Sequence, residues 1–547
     1  MSADNSQALR GADIVAQSLA RLRVERVFTL SGNHIMSVFD AAIEAKLDLV
    51  HVRHEGAAVH MADAWGRLTG RPGIALVTGG PGHANAVGPL YTALGAESPM
   101  VLLSGHAATW ELGRGGFQEI RQADTAAPVT KASWTATTAA GLGRDIGEAL
   151  NIAMAGRPGP VHLSLPSDLL EERVEANAIR WPGTIGGAGV PELSMPVGQA
   201  IAEAIRKAER PIILAGPASS TSFGRAVLKG LETKLGAPAV VLESPRGIAD
   251  ATLGAFQDIA RRADLIVLLG KALDFTTQWA SGKSFDAAAK VIVIDPDPAM
   301  VARAHKELGR RLLISAVADI RTAAVRLFDS AMYARSEGWL KTARAAIDDR
   351  PAEWATVAGK APGRLHPAEV FRALLPYVER DPDTVLICDG GEFAQWGQSM
   401  LPVKRRLING VAGSIGGSLS FANAARLVEP SAPIFAVLGD GTIGFHLSEF
   451  ETAARRKLPF VAILGNDALW NAESQIQLRE YGRERMHGCD LTPARYDLAV
   501  AALGGHGEYV ERAEDLPGAI ERALASGKPA CVNVMIESIA APVIRLA

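Results

Sequence analysis

Cysteine is scarce. The 547 residues hold three, Cys388, Cys489 and Cys531. Spacing this wide fits neither a disulfide framework nor a zinc-ligand pattern, so a reducing cytoplasm is the expected compartment. An excess of one charge is missing as well. Lys and Arg total 56 against 59 Asp and Glu, a formal net charge of −3. Nothing global therefore points to nucleic acid or to an anionic membrane. No apolar run approaches the ~20 residues of a membrane-spanning helix. The start, MSADNSQALRGADIVAQSLARL, is amphipathic and lacks the basic-then-apolar order of a secretion signal. There is no short-period repeat and no low-complexity tract.

What is present is an ordinary globular composition, 48% hydrophobic and 21% charged. Three segments alternate strand-like apolar runs with helical periodicity, which predicts parallel sheets covered by helices. The fold class is α/β, with three doubly wound domains. The first domain spans 1–173 and contains RVFTL, LDLVHV, GIALVTGG, PMVLLSG and PVHLSLP. Residues 174–197, rich in Gly and Pro, read as a linker. A middle domain follows at 198–328, with RPIILAG, PAVVLES, ADLIVLLG and KVIVID. A connector at 329–363 is helical and then loops, and the last domain covers 364–547, with TVLICDGG, IFAVLGDG, FVAILGN and ACVNVMI. The first and last domains share a layout, each with a glycine-rich turn after a strand.

The stretch GDGTIGFHLSEFETAARRKLPFVAILGNDALW carries the first chemical signal. Residues 434–438 read as a buried strand, followed by the turn Gly439-Asp440-Gly441 and a helix. Ser448 and Glu451 have capping-box spacing. Residues 460–464 form the next strand, and a β-α-β unit brings both strand ends to one edge of the sheet. Asp440 and Asn466 thus meet where doubly wound domains bind ligands. A carboxylate, an amide oxygen and nearby backbone carbonyls suit Mg²⁺, which completes its shell with phosphate oxygens and water. The glycines let backbone N–H groups approach a phosphate. The plainer alternative is a tight strand-to-helix turn with an Asx cap.

GDG followed about two dozen residues later by Asn, across one helix and one strand, resembles the motif of the thiamine diphosphate-dependent enzymes. The family's usual asparagine pair is Gly465-Asn466 here, so the second asparagine, the metal-binding one, is kept. The resemblance implies a Mg²⁺ site made of Asp440, Asn466 and the Ala468 carbonyl. It adds Gly439, Gly441, Thr442 and Leu469 to the thiamine diphosphate contacts. LDLVHVRHEGAAVHMADAWGRLTG resembles the segment that supplies the family's glutamate, Glu55, which faces the aminopyrimidine ring and drives its tautomer change. Taken alone, Glu55 would read as an acid at a helix start. GGPGHANA resembles the turn that sets Pro81 and Asn85 near the pyrimidine. GSIGG, with Gly413 and Ile415, matches the place where an apolar side chain bends the cofactor. DGGEF, with Gly391, Glu392 and Phe393, is expected to line it from the diphosphate domain. The resemblance covers the whole chain in the order pyrimidine (PYR), middle and diphosphate (PP) domain. It is strongest to the branch holding acetolactate synthase, benzaldehyde lyase, oxalyl-CoA decarboxylase and 2-hydroxyacyl-CoA lyase. In that branch a homodimer or homotetramer builds its sites from two subunits.

Four features bear on substrate. His34, in SGNHIM, resembles the histidine-bearing loop of benzaldehyde lyase and is a candidate proton relay, or else a loop histidine bonded to backbone. Gln118, in GGFQEIRQAD, matches a glutamine at the cofactor's reactive end. The middle domain lacks a true GxGxxG; Asp295, Arg246, Lys271 and Lys283 are candidate contacts for CoA or ADP, and relatives use this domain for ADP, FAD, CoA or nothing. Residues 469–488 read as a helix shaping an acceptor pocket, with Glu473 a candidate acid or base. The expected reaction is a lyase or carboligase of the acyloin type, best matched to 2-hydroxyacyl-CoA and joining or releasing formyl-CoA and an aldehyde or ketone. The alternatives are a 2-oxo acid-decarboxylating acetolactate synthase, a benzaldehyde lyase-like carboligase, and a non-catalytic protein of the same fold.

Overall fold

A computed structural model describes residues 8–186, 189–331 and 337–546. The first seven residues, two positions of the expected linker (187–188), five of the connector (332–336) and Ala547 lie outside the described residues. The chain divides into two compact units, Met1–Gly189 and Val190–Ala547.

The first unit holds a six-stranded parallel sheet. Its strands are β1 (Arg26–Thr29), β2 (Asp48–His51), β3 (Gly73–Val77), β4 (Met100–His106), β5 (Ala132–Thr135) and β6 (Pro160–Pro166). They lie in the order β2-β1-β3-β4-β6-β5. The central strands β3, β4 and β6 are buried along their whole length. Helices cover both faces of the sheet, so these strands are continuous apolar runs rather than alternating ones. The edge strand β5 is only half-buried. Two helices position the chemistry: α1 (Glu55–Thr69) follows β2, and α2 (Pro81–Gly95) follows β3.

The second unit holds two parallel sheets. The middle sheet comprises β7 (Pro211–Ala215), β8 (Ala239–Val241), β9 (Leu265–Leu269), β10 (Lys290–Asp295) and β11 (Leu312–Val317). Its order is β8-β7-β9-β10-β11. The last sheet comprises β12 (Val385–Asp389), β13 (Arg405–Ile408), β14 (Ile434–Gly439), β15 (Val461–Asn466), β16 (His506–Val510) and β17 (Ala530–Met535). It is ordered β13-β12-β14-β15-β17-β16, the same pattern as the sheet of the first unit. The likeness of layout between the first and last domains is therefore an identity of topology. One apolar core continues from the middle sheet (Ile212, Ile266, Val291) into the last one (Phe435, Ile463, Val532). Buried charge joins them too: Glu243 Oε1 accepts from Arg406 Nε at 2.7 Å and from Arg225 at 2.5 Å.

In the last sheet, α3 (Gly391–Met400) follows β12, and α4 (Ser418–Val428) precedes β14. The short α5 (Asp440–Ile443) opens directly after β14, α6 (Glu449–Arg456) leads into β15, and α7 (Asn471–Tyr481) follows it. The expected capping box at Ser448 is not formed. Ser448 already has helical φ/ψ (−61°, −16°), and its side chain caps nothing. The chain enters α6 from the preceding helical turn, so no extended N-cap residue is available. Glu451 instead pairs with Arg455 at 3.0 Å.

Candidate active site

In the first unit, Glu55 is the first residue of α1 and is buried. His54 caps the helix, its Nδ1 accepting from Gly56 N–H at 3.0 Å. Asn85, one turn into α2, donates from Nδ2 to Glu55 Oε2 at 3.0 Å. Both helices start at the carboxyl ends of strands flanking β1, where the strand order reverses, which is the binding edge of such a sheet. Pro81 opens α2 as its first residue, a position where the missing N–H costs nothing. Gly80 before it has φ +57°, and a Cβ there would lie 2.4 Å from the Gln118 carbonyl oxygen. The Gly-Pro-Gly turn and the Gln118 loop are thus in close contact, and Gln118 itself has φ +56°. His34 is buried, its Nδ1 3.1 Å from Thr78 Oγ1 and its ring stacked on Phe117 at 5.9 Å. Burial lowers its pKa against the opposing effect of the Phe117 backbone, so the imidazole is neutral.

A residue the motifs did not single out sits beneath this half-site. Gln122 is fully buried. Its Oε1 accepts from Gly80 N–H at 2.9 Å, and its Nε2 donates to Gly105 O (3.1 Å) and Ser164 Oγ (3.0 Å). Every polar atom of the amide is used, and the turn that leads to Pro81 is fixed by it. The sequence signal was its place in GGFQEIRQAD, four positions after Gln118.

In the second unit, Asp440 opens α5 and Asn466 closes β15, and both are buried. Asn466 Nδ2 donates to Ala494 O (3.1 Å) and to Asn533 Oδ1 (3.2 Å). Asn533 in turn donates to Ala494 O at 3.1 Å and to Asp497 Oδ1 at 3.2 Å. That network fixes which way the Asn466 amide faces. Its Oδ1 and Asp440 Oδ2 are buried acceptors without any hydrogen-bond partner. Buried oxygens without donors are unfavourable unless a cation meets them, and one carboxylate with one amide oxygen is a hard-cation donor set. Ala468 is left-handed (φ +61°), and its carbonyl accepts from Leu491 N–H at 2.8 Å, leaving one lone pair for a metal. Asp467 lies beside Asp440. Burial pushes both carboxyls up from their ordinary range, and the Asp440 charge raises Asp467 further; a dication would relieve this. Asn533 went unassigned in the sequence, although a buried amide interrupting the apolar run ACVNVMI was the available signal.

Glycines line the rest of this edge. Gly390 and Gly391 are left-handed (φ +66° and +59°). A Cβ on Gly390 would meet Ile415 Cγ2 at 2.6 Å and Thr442 Oγ1 at 3.0 Å, and one on Gly441 would meet the Trp470 ring at 2.7 Å. Ile415, Thr442 and the Gly439–Gly441 turn therefore converge, while Gly439 faces open space. A Cβ on Gly413 (φ +68°) would lie 3.6 Å from Pro245 of the middle domain. Leu469 bridges to Asp490. Phe393 packs on Gly465 and lies tilted against Phe371 with ring centroids 4.8 Å apart, a supporting place. Glu392 is engaged by protein: Ala541 N–H donates to its Oε2, and Arg246 stands 3.8 Å from its Oε1.

The middle-domain cations are mostly committed. Lys271 is buried, its Nζ donating to Asp274 Oδ2 at 2.7 Å. The expectation of a phosphate-facing Lys271 is thus corrected: a buried ammonium needs a fixed partner, and Asp274 is that partner. Asp295 turns back on its own loop, accepting from Asp297 N–H at 2.9 Å. Lys283 is exposed, while Arg246, also exposed, faces Glu392.

Comparison with known proteins bears directly on these two clusters. Residues 9–126 match the thiamine pyrophosphate enzyme N-terminal TPP-binding domain, 199–327 the central domain, and 389–534 the C-terminal TPP-binding domain. A probable acetolactate synthase of Mycobacterium bovis is 31% identical over 560 residues, covering 99% of each chain. The chain belongs to the thiamine pyrophosphate enzymes. Within them it sits in the branch of acetolactate synthases and 2-hydroxyacyl-CoA lyases. The 2-hydroxyacyl-CoA lyase 2 of Caenorhabditis elegans is 29% identical over 97% of this chain and 90% of that one. A 2-hydroxyacyl-CoA lyase of Arabidopsis thaliana is 28% identical over 97% and 96%. The orphaned oxygens of Asp440 and Asn466 and the glycine-lined edge fit thiamine pyrophosphate held through Mg²⁺.

Proposed function

We propose that this thiamine pyrophosphate-dependent carbon–carbon lyase acts on 2-hydroxyacyl-CoA, releasing or joining formyl-CoA and an aldehyde or ketone. The cofactor, when bound, supplies the carbanion that breaks or forms a C–C bond beside a carbonyl. The chain's residues do the rest. Asp440, Asn466 and the Ala468 carbonyl would hold Mg²⁺. Gly391, Gly439, Gly441 and Thr442 would let the diphosphate approach, and Ile415 would support the cofactor. Glu55, oriented by Asn85, would exchange a proton with the pyrimidine. Gln118 is the group that meets the substrate's hydroxyl or thioester oxygen. His34 acts through the loop: its neutral ring, bonded to Thr78 and stacked on Phe117, holds Gln118 in its left-handed turn. The observation that carries the reading is that relatives named 2-hydroxyacyl-CoA lyase match nearly the whole chain; the Gln118 amide, in the loop against Gly80, suits a hydrogen bond to a neutral oxygen.

A second reading has its own support. The 31% identity to the Mycobacterium bovis protein favours acetolactate synthesis from a 2-oxo acid. We take a second copy of the chain as the partner, as in the family, where the pyrimidine domain of one subunit meets the diphosphate domain of another. The three cysteines, free and buried, suit the cytoplasm. Among the described residues no helix is long and apolar enough to cross a membrane.

One assay separates the readings. The protein is incubated with thiamine pyrophosphate, Mg²⁺, formyl-CoA and a panel of aldehydes and ketones, and 2-hydroxyacyl-CoA is sought by mass spectrometry. Product that disappears in Glu55→Gln supports the proposal. No CoA product, from a sample that makes acetolactate from pyruvate, overturns it in favour of the second reading.

A further inference from the structure

The loop that carries Ile415 is held by two side chains that the cofactor motifs leave out. Asp389, the last residue of β12, is 1% exposed. Its Oδ2 accepts from Gly416 N–H at 3.0 Å and from Ser418 N–H at 2.8 Å. Six residues past Asp440, His446 is buried, and its Nδ1 lies 2.7 Å from Gly416 O. A carbonyl oxygen only accepts, so Nδ1 carries the proton and donates. Both the N–H and the C=O of Gly416 are therefore taken, one from the end of β12 and the other from beyond α5. Gly416 itself needs its φ of +104°, and a Cβ there would meet Phe445 Cβ at 2.7 Å. The neighbouring residue on this pinned backbone is Ile415, whose Cγ2 comes within 2.6 Å of where a Gly390 Cβ would stand.

We propose that Asp389 and His446 are positioning residues, which grip the Gly416 backbone from opposite sides and thereby set where Ile415 stands against the cofactor. The inference rests on the reading of Ile415 as the residue that supports the cofactor's bend. Neither side chain needs to touch the cofactor. Asp389 closes the loop onto the strand that leads to Gly390 and Gly391. His446 closes it onto the segment that begins with the Asp440 turn. The apolar support and the metal half of the site thus move as one piece, and loosening the grip displaces Ile415 while leaving the metal donors in place.

The test uses the whole enzyme with thiamine pyrophosphate and Mg²⁺, without substrate. The readouts are hydrogen–deuterium exchange at the cofactor's C2 carbon, the near-ultraviolet circular dichroism of the bound pyrimidine, and cofactor affinity from tryptophan fluorescence. His446→Phe keeps a ring and removes the donor. We expect its C2 exchange to fall about a hundredfold, the effect of a misplacement of order 1 Å. The dichroism band should change, while cofactor affinity falls no more than about tenfold. His446→Gln, which keeps an N–H donor, should recover most of the exchange. Should His446→Phe fail to fold, Asp389→Leu, which removes the acceptor at similar size, decides on the same readouts, with reduced exchange expected. Wild-type exchange in a folded His446→Phe or Asp389→Leu overturns the proposal. A wild-type protein that binds cofactor and shows no C2 exchange overturns the reading of Ile415 and Glu55 beneath it.

Discussion

Asn85 hands a hydrogen bond to Glu55 from one turn inside the next helix, 3.0 Å from Nδ2 to Oε2. The acid at the start of α1 is thereby aimed by the helix that follows the Gly-Pro-Gly turn. Glu55→Gln should lower the rate of C–C bond formation or cleavage by about 10²–10⁴-fold, the range for losing a positioned acid–base group. Asn85→Ala should cause a smaller loss, since the carboxylate remains and only its aim is relaxed. Mass-spectrometric product rates for both variants check this. A milder loss in Glu55→Gln than in Asn85→Ala would contradict it.

The proposed Mg²⁺ site depends on a residue that would hold no metal. Asn533 helps fix Asn466 by accepting from its Nδ2 at 3.2 Å, which leaves Oδ1, like Asp440 Oδ2, a buried acceptor without a protein donor. Asn533→Leu removes one of the two acceptors that orient the Asn466 amide and leaves it only Ala494 O. Mg²⁺ affinity, read from metal titrations of cofactor binding, should fall about 10–100-fold, as for other second-sphere losses. Asp440→Ala should remove Mg²⁺-dependent cofactor binding altogether. Unchanged Mg²⁺ affinity in Asn533→Leu would show that the amide is held by other means.

Much of this was legible in the sequence, for physical reasons. Strands buried on both faces, such as IFAVLG and VAILGN, read as apolar runs, and the residues closing them, Asp440 and Asn466, were forced to the same sheet edge by the β-α-β crossover. Glu55 and Asn85 were legible as motif positions. Their hydrogen bond was not, because it joins two helices separated by a strand. Gln122 and Asn533 were missed because a single polar residue carries no periodicity, and its partners lie tens of residues away. Lys271 was misread because a sequence gives a lysine no depth: only the fold shows Asp274 beside it. The Ser448 capping box failed because spacing alone does not fix the direction from which a chain enters a helix.

Gly390 is under two constraints at once. Its φ of +66° disfavours any side chain by roughly 1–2 kcal/mol, and a Cβ would meet Ile415 Cγ2 at 2.6 Å. Gly390→Ala should therefore lower stability by about 2–4 kcal/mol once overpacking is added. It should also weaken cofactor binding, because Ile415 must give way. Gly439→Ala is the control for stability, since nothing stands within 4 Å of a Cβ there and φ is extended at −87°. Thermal unfolding of the pair should separate them clearly. Equal behaviour would mean that the Gly390 turn is soft.

Glu243 gives the enzyme a pH-dependent joint. Burial alone would raise its pKa, but the charges and hydrogen bonds of Arg225 and Arg406 outweigh burial and hold it at about 2, below the ordinary 4.5. A carboxyl depressed in the folded state contributes stability that is fully present above its unfolded pKa and is lost as the pH falls through the folded one. The contribution should thus be constant above about pH 4.5 and fade toward pH 2. Glu243→Gln leaves two arginines facing an uncharged amide, one of them, Arg406, in the last domain. At pH 7 the loss should be about 3–5 kcal/mol, typical of breaking a buried ion pair from one side. Urea unfolding of wild type and variant at pH 7 and at steps down to pH 3 measures the gap. It should narrow at the acid end, because protonating the wild-type carboxyl has the same effect as the substitution. A gap that widened with acid would mean that the joint depends on some other group.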